Sequence, residues 1–181
     1  MLYQPAEAGC ALVRSDQDLL DTFDFTPPYY KLAEDEIHYY KRGPQNSRGF
    51  KALKVWLSLR QLGRQGYADL IERDIALARE LDEIVDAAPD MERGPGGLSI
   101  STFRYVPEAV TSEEELNELN TEILGRIQSG GEAFVSNALI DGRYWLRSCI
   151  VNFRTTRADL ETLVELTQRL GAETREPARP R

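Results

Sequence analysis

Residues 47–66 decide the fold, and they read S-R-G-F-K-A-L-K-V-W-L-S-L-R-Q-L-G-R-Q-G. At about 100° per residue, a helix through this stretch has one narrow polar stripe. The stripe comprises Lys51, Lys54, Ser58 and Gln61. Apolar side chains cover most of the remaining circumference, which predicts a helix that is buried on several sides. Gly63 and Gly66 are expected to end it, because glycine adopts the positive φ of a helix cap at little cost.

Arg60 is the exception in this apolar surface. At helical spacing its side chain points roughly opposite the polar stripe. A guanidinium group in apolar surroundings needs a carboxylate, a phosphate or several carbonyl groups around it. We therefore expect Arg60 to have a partner of this kind.

The composition is that of a soluble globular protein of one domain, or a domain and a half. The chain has 181 residues, of which 41% are hydrophobic and 29% charged, and its net charge is −8. This charge argues against nucleic acid and anionic membrane surfaces as general partners. No apolar run approaches the roughly 20 residues of a membrane span and no signal peptide is visible, so we expect a cytoplasmic location.

The cysteine and histidine content predicts neither a disulfide framework nor a metal site. Cys10 and Cys149 lie in apolar, strand-like runs, where a buried free thiol is the expected state. His38 is the single histidine, and no cysteine stands at ligand spacing from it.

The rest of the pattern predicts a small α/β layer in which an antiparallel sheet has helices on one side. Pro27 and Pro28 exclude a regular helix from residues 26–40, so this segment is expected to be a loop. Helices are expected at residues 16–23 and 67–88, and after capping boxes that begin at Ser112 and at Thr156, the last ending at Gly171. Strands are expected at residues 7–14, at residues 98–106 with Phe103 out of phase, and in a hairpin of residues 133–140 and 144–153 that turns at Asp141-Gly142.

The pattern Arg-x-Phe-x-Ala-Leu-Lys-x-Trp-x-x-Leu-Arg-x-x-Gly-x-x-Gly, at residues 48–66, resembles the pyridoxal-phosphate-dependent group II amino-acid decarboxylases. Aromatic amino-acid and glutamate decarboxylases belong to that family. The resemblance extends over most of the chain and matches only the carboxyl-terminal part of such an enzyme. It implies the carboxyl-terminal portion of the aspartate-aminotransferase-like fold.

The resemblance also implies how the chain is divided. Residues 1–47 would end the large cofactor domain and carry its mobile active-site loop, and residues 48–90 would form long linking helices. Residues 91–173 would be the small carboxyl-terminal domain, with a disordered tail at 174–181. The lysine that binds pyridoxal 5′-phosphate would lie upstream of Met1, so the chain alone is expected to be inactive. Its partner would be a second copy in a homodimer, or an amino-terminal cofactor domain.

Tyr29 is the implied catalytic residue. In the family a mobile loop closes over the active site, and its tyrosine is thought to protonate the carbon from which carbon dioxide has left. Residues 26–40 resemble that loop, with Tyr29 as the best match and Tyr30 adjacent. A phenol with a pKa of about 10 can donate a proton when it is held close to the accepting carbon. Without the resemblance, an ordinary aromatic loop is the alternative interpretation.

Asn46, Ser47 and Arg48 are candidate cofactor contacts. Ser47 is a good helix N-cap, and the backbone N–H groups of a helix start next to an arginine suit an anion. The resemblance implies that this turn lies near the cofactor phosphate of the neighbouring subunit. A solvated capping turn is the alternative interpretation.

Arg147 is the candidate for substrate binding. Strand alternation places it mid-strand on the same face as Trp145 and Cys149. A salt bridge to an acidic residue on a covering helix would explain it. The resemblance of Trp145-Leu146-Arg147 and of N-F-R-T at 152–155 instead implies an arginine that faces the active site and pairs with the substrate carboxylate. The planar guanidinium fork suits that task.

The resemblance thus implies part of a carboxy-lyase that uses pyridoxal phosphate to decarboxylate an aromatic or acidic L-amino acid. A non-catalytic truncated homologue, or a module for dimerisation, is the alternative. A related aldehyde synthase is a weaker alternative, because phenylalanine would be expected at the loop position that Tyr29 occupies.

Overall fold

The structure is a computed structural model that describes residues 7–31 and 36–175. It contains two compact units, Met1–Gly63 and Arg64–Arg181. The predicted tail at 174–181 lies mostly outside the described residues. The functional division into cofactor domain, linking helices and small domain stays a prediction.

The first unit begins with an irregular segment followed by a short helix. Helix α1 spans Asp16–Phe23, as predicted, and the Ser15 hydroxyl caps it by accepting from the Gln17 N–H. A 3₁₀ helix follows at Tyr39–Arg42, inside and just beyond the predicted loop. The strand predicted at residues 7–14 is wrong, since residues 7–13 have no regular structure. An isolated strand has no partner for its backbone groups, so an apolar run alone does not make one.

Helix α2 spans Lys51–Ala87 and is interrupted at Gly63. Gly63 has φ 63° and ψ −176°, so the predicted break occurs there and at a glycine, whereas Gly66 lies within the helix. The first part of α2 was predicted to be buried, and within this chain it is not. Several of its large apolar side chains are about half exposed, namely Trp56, Leu57 and Leu59 at 55%, 52% and 53%.

The second unit is a four-stranded antiparallel sheet with helices on one face, as predicted. The strands are β1 (Met91–Arg93), β2 (Ile100–Tyr105), β3 (Ser136–Ile140) and β4 (Arg143–Cys149), in the order β1-β2-β4-β3. Helices α3 (Glu113–Gly130) and α4 (Arg157–Arg175) join the second part of α2 in covering it. Strand β1 was not predicted, because three residues are too few to show an alternating pattern.

The core lies between one face of the sheet and these helices. Leu81 of α2, Ile123 of α3 and Leu146 of β4 are fully buried in it. The predicted register of β2 is wrong, since Phe103 is also fully buried in this core while Thr102 lies on the opposite face. Because β2 is buried on both faces, its sequence shows no clean alternation.

The predicted turn and capping signals are largely confirmed. Asp141 and Gly142 both have positive φ, which is the geometry of a tight hairpin turn. The Ser112 hydroxyl accepts from the Glu115 N–H at the start of α3. Helix α4 runs beyond Gly171, where a Cβ would come within 2.5 Å of the Tyr105 ring. Gly171 therefore permits close packing rather than ending the helix.

Both cysteines are exposed, so the prediction that they are buried is wrong. Cys10 lies in the irregular segment, and Cys149 ends β4 on the face away from the helices. That face is called here the outer face; its members include Thr102, Arg104, Trp145 and Arg147.

Asn120 fixes α3 to the end of β2. Its side chain is fully buried and bonds Tyr105 in both directions, accepting from the backbone N–H at 2.8 Å and donating to the carbonyl at 2.9 Å. A third bond, donated by the Asn120 amide nitrogen, reaches the Leu116 carbonyl at 2.9 Å. The amide thus replaces a missing strand neighbour for Tyr105.

We predict that Asn120→Ala lowers the free energy of unfolding of the second unit by about 2–4 kcal/mol, because it leaves two backbone groups buried and unpaired. Chemical denaturation followed by circular dichroism measures this. Asn137→Ala is the matched control, since Asn137 is exposed on β3, and it should change the value by less than about 0.5 kcal/mol. Equal effects of the two substitutions would contradict the role given to Asn120.

Candidate functional site

Tyr29 lies in a turn of the first unit with its side chain open to solvent. The turn is closed by a bond from the Tyr30 N–H to the Pro27 carbonyl at 3.0 Å. The Tyr29 side chain is 76% exposed, and its ring meets the edge of the Tyr30 ring with the two centroids 5.0 Å apart. Within the described residues its hydroxyl makes no hydrogen bond. Among the contacts that the structure describes, the phenol is thus held by its ring and not by its oxygen.

The neighbouring tyrosines of this loop have their hydroxyls engaged. The Tyr30 hydroxyl accepts from Asn46 Nδ2 at 2.8 Å, and its ring packs against that of Tyr40 at 5.6 Å. The Tyr40 hydroxyl lies 3.3 Å from the Thr26 hydroxyl. Of these three tyrosines, Tyr29 is the one whose hydroxyl has no hydrogen-bond partner among residues 7–31 and 36–175.

An ion pair joins the two helical pieces that flank the loop. Arg42 of the 3₁₀ helix donates from Nε and Nη2 to the two carboxylate oxygens of Asp16 in α1, each at 2.6 Å. The hydrogen bond from Arg42 lowers the pKa of Asp16, burial opposes this, and the charge of Arg42 lowers it further. A bidentate pair of this kind holds the loop ends together.

Asn46, Ser47 and Arg48 are consecutive exposed residues that offer hydrogen-bond donors. Arg48 donates one N–H to the Tyr39 carbonyl at 3.2 Å, and the small Gly43 leaves room beside its guanidinium. Asn46 donates to Tyr30, so Asn46 and Tyr29 contact the same residue. An amide, a hydroxyl and a guanidinium together are a donor set that suits a phosphate.

Ser47 is not the N-cap that the sequence predicted. Helix α2 begins at Lys51, four positions later, so the Ser47 hydroxyl cannot accept from the first turn of the helix. The Lys51 N–H instead bonds the Gly49 carbonyl at 2.7 Å. The candidate phosphate contacts therefore lie in the loop before the helix and not at its first turn.

Arg147 lies in the second unit, half-buried on the outer face of β4. Its Nη1 donates to the Ser136 hydroxyl at 3.3 Å, across the strand pair. In the part of the chain that the structure describes, it forms no ion pair with a carboxylate. The salt bridge considered as the alternative explanation is therefore not observed there.

Arg104, beside it on β2, is in the opposite situation. It is only 3% exposed, its guanidinium carbon lies 4.7 Å from the centre of the Trp145 ring, and it pairs with Glu92 and Glu113. The hydrogen bond from Arg104 lowers the pKa of Glu113, with burial opposing and the charges of Arg104 and Arg143 adding to the effect. The sequence interpretation missed Arg104, and its only signal was a second arginine in an apolar strand.

Arg60, expected to need a partner, lies over an aromatic ring of its own helix. Its guanidinium carbon is 5.5 Å from the centre of the Trp56 ring, one turn earlier. Arg60 is exposed within this chain. Among the described residues it forms no ion pair with a carboxylate.

The described residues contain neither a membrane-spanning helix nor a cluster of metal-binding side chains. None of their helices is both long enough and apolar enough to cross a membrane. No group of three metal-binding side chains is assembled within the same residues.

Comparison with known proteins decides the family. Residues 1–93 match the pyridoxal-dependent decarboxylase conserved domain, which is about half of the chain. The chain therefore belongs to this decarboxylase family. The predicted resemblance is confirmed at the level of the family.

The relatives of this chain include enzymes that are named for aromatic compounds. The aromatic-L-amino-acid decarboxylase of Bacillus atrophaeus is 34% identical over 95% of this chain, which spans 37% of that protein. The phenylacetaldehyde synthase of a Rosa hybrid cultivar is 32% identical over 82% of this chain, which spans 32% of that protein. The chain thus covers about a third of the length of these relatives.

The fold of this chain is also found in solved structures. Tryptophan decarboxylase (TDC) from Oryza sativa, determined with PLP and tryptamine, matches 90% of this chain with a TM-score of 0.81. The sequence identity is 23%, and the match spans 35% of the rice chain. The prediction that the chain forms the carboxyl-terminal portion of the aspartate-aminotransferase-like fold is confirmed, since the chain matches about a third of a solved structure.

We predict that the stability contributed by Glu113 depends on pH. The carboxyl of Glu113 has a folded pKa below its usual value of 4.5, so its ionised form stabilises the fold above pH 4.5 and loses that effect as the pH falls through the folded pKa. The difference in unfolding free energy between the natural protein and Glu113→Gln should therefore be largest at neutral pH and shrink below pH 4.5. Denaturant titrations at a series of pH values measure it.

Glu114→Gln is the control, because Glu114 is exposed and makes no ion pair within the described residues. Its effect on unfolding should stay small and nearly constant across the same pH range. A Glu113→Gln difference that grew on acidification would contradict the assignment.

Proposed function

We propose that this chain supplies the proton donor and the carboxylate-binding arginine of a decarboxylase that acts on an aromatic L-amino acid. The exposed hydroxyl of Tyr29, which makes no hydrogen bond within the described residues whereas those of its neighbours Tyr30 and Tyr40 do, is the observation that carries the proposal. The family supports the reaction class, and the relatives named above favour aromatic over acidic substrates.

Tyr29 would act after carbon dioxide leaves. The carbon that loses the carboxylate must gain a proton to give the amine, and a phenol can provide it across a short distance. The ring contact with Tyr30 sets the direction of the Tyr29 side chain, while its 76% exposure leaves it accessible to a bound substrate. The pyridoxal phosphate cofactor, when bound, supplies the electron sink for this chemistry.

Arg147 would bind the carboxylate of the substrate before the reaction. Its guanidinium uses one donor on Ser136 and keeps others available. Because carbon dioxide is neutral, the attraction between Arg147 and the carboxylate is lost as the bond breaks. Arg147 should therefore strengthen substrate binding more than it accelerates the reaction.

Asn46, Ser47 and Arg48 would contact the phosphate of the cofactor. Their donor set suits a phosphate, and their exposure leaves them open to another subunit. In this proposal the enzyme is a homodimer, and the lysine that holds the cofactor lies in sequence before Met1. Two unpaired, exposed cysteines are in keeping with a reducing, cytoplasmic location.

A second candidate function, a module for subunit association without catalysis, is favoured by the exposed apolar side chains in the first part of α2. Trp56, Leu57 and Leu59 would bury apolar area against another protein surface. The two functions differ in whether substitution of Tyr29 affects a reaction at all. An aldehyde synthase, like the rose relative, is less favoured because Tyr29 is not a phenylalanine.

We predict that Tyr29→Phe lowers kcat for amine formation by about 10²–10⁴-fold in the complete, cofactor-loaded enzyme, since it removes a general acid. KM should change little, because the phenol acts after binding. Amine formation followed by chromatography gives both constants. Tyr39→Phe is the control, as Tyr39 is an exposed tyrosine at the far end of the same loop. If Tyr29→Phe kept the natural kcat, the catalytic proposal would fail.

We predict that Arg147→Gln raises KM for the amino acid by about 10- to 100-fold, the loss expected for a charge-assisted pair of 1.5–3 kcal/mol. The value of kcat should fall much less, for the reason given above. Arg79→Gln, a change of an exposed arginine on α2, should leave both constants unchanged. A large fall in kcat at constant KM would assign Arg147 a different role.

A further inference from the structure

We propose that Tyr30 and Asn46 form a clamp that positions the catalytic loop by holding the ring of Tyr29. The proposal rests on the proposed function, because it assigns a positioning role toward Tyr29. Neither residue would touch the substrate. Through this contact they would act on the placement of the Tyr29 ring, and the phosphate contact proposed for Asn46 is separate from it.

The contacts form a continuous path from the loop to the segment that precedes α2. Asn46 Nδ2 donates to the Tyr30 hydroxyl at 2.8 Å, which joins residues 16 positions apart in the sequence. The Tyr30 ring then meets the Tyr29 ring edge to face, with 5.0 Å between the centroids and 84° between the planes. An edge-to-face contact is directional, so fixing one ring restricts the orientation of the other.

A second aromatic contact, with Tyr40, supports the Tyr30 ring. The Tyr40 ring lies 5.6 Å from the Tyr30 ring, again at 84°, and the Tyr40 hydroxyl is 3.3 Å from the hydroxyl of Thr26. Tyr30 is half-buried between these groups, whereas Tyr29 is mostly exposed. Tyr30 is therefore held by two ring contacts and a hydrogen bond, whereas Tyr29 is held by its ring contact with Tyr30.

The direction of the hydrogen bond gives the clamp its specificity. The Asn46 amide can donate to a hydroxyl oxygen, but not to the ring carbon that phenylalanine offers in its place. Tyr30→Phe therefore removes the bond while it keeps both ring contacts. Asn46→Ala removes the same bond from the opposite side, which permits a double-mutant cycle.

The first experiment measures how fast trypsin cleaves the loop in this chain, which reports how firmly the loop is held. Trypsin can cleave after Lys31, which directly follows Tyr30, and the fragment that ends there is identified by mass spectrometry. Tyr30→Phe and Asn46→Ala should each raise the initial rate of this cleavage about three- to tenfold, as expected for the loss of one hydrogen bond. The double variant should show the same increase and not the product of the two. Tyr39→Phe, which removes a hydroxyl that makes no hydrogen bond within the described residues, should leave the rate unchanged.

The second experiment measures the effect on the reaction in the complete enzyme with pyridoxal phosphate bound. Tyr30→Phe should lower kcat about three- to tenfold without changing KM, since it disturbs a residue that acts after binding. The effect should disappear in an enzyme that already carries Tyr29→Phe. A merely structural role would lower kcat in both backgrounds and would change KM as well.

The outcomes separate this inference from the proposed function. If Tyr29→Phe leaves kcat unchanged, the proposed function fails, and the cleavage experiment still tests the contact between Tyr30 and Asn46. If Tyr29→Phe abolishes activity while Tyr30→Phe behaves like Tyr39→Phe, the proposed function stands and the clamp is overturned. Multiplicative effects of Tyr30→Phe and Asn46→Ala on the cleavage rate would also overturn it.

Discussion

The pairing of Arg104 with Glu92 and Glu113 is the interaction on which the second unit depends. A guanidinium that is 3% exposed is costly to bury unless opposite charges surround it. Glu92 comes from β1 and Glu113 from the first turn of α3, so this one charge joins three elements. Stacking on Trp145 adds β4 as a fourth. The outer face is therefore built around a fixed positive charge whose own partners already neutralise it.

Much of the fold could be predicted from local signals in the sequence. Some signals involve only residues that are close in sequence, so a local pattern is enough to predict them. They are the glycine at position 63, the Asp141-Gly142 turn and the capping boxes of α3 and α4. The register of β2 could not be read, because a strand with buried residues on both faces loses its period of two. The strand expected at residues 7–14 failed for a different reason, since a strand also needs a neighbour that no local pattern reveals.

In the candidate site, too, single residues could be predicted from the sequence, whereas contacts between residues far apart in the chain could not. Tyr29 and Arg147 were predicted through a resemblance to a family, and their contacts with other residues came only from the structure. Nothing in the sequence indicates that Asn46 reaches Tyr30, because the two are 16 positions apart and neither belongs to a regular element. Burial of the first part of α2 was inferred from its composition alone. Composition shows that a surface is apolar, but it does not show which chain covers it.

The charge balance of the outer face bears on which arginine could accept a ligand. Arg104 is fully engaged, and Arg143 shares the same two glutamates at 3.4 and 3.5 Å. Arg147 has one neutral partner, and the buried Trp145 Nε1 has no hydrogen-bond partner among the described residues. Donors therefore exceed acceptors at Arg147 and not at Arg104. A carboxylate that entered this face would find a guanidinium without an ion pair at Arg147. At Arg104 it would have to displace a glutamate. Of these two arginines in the described residues, Arg147 is therefore the one that fits the proposed exchange of carboxylates.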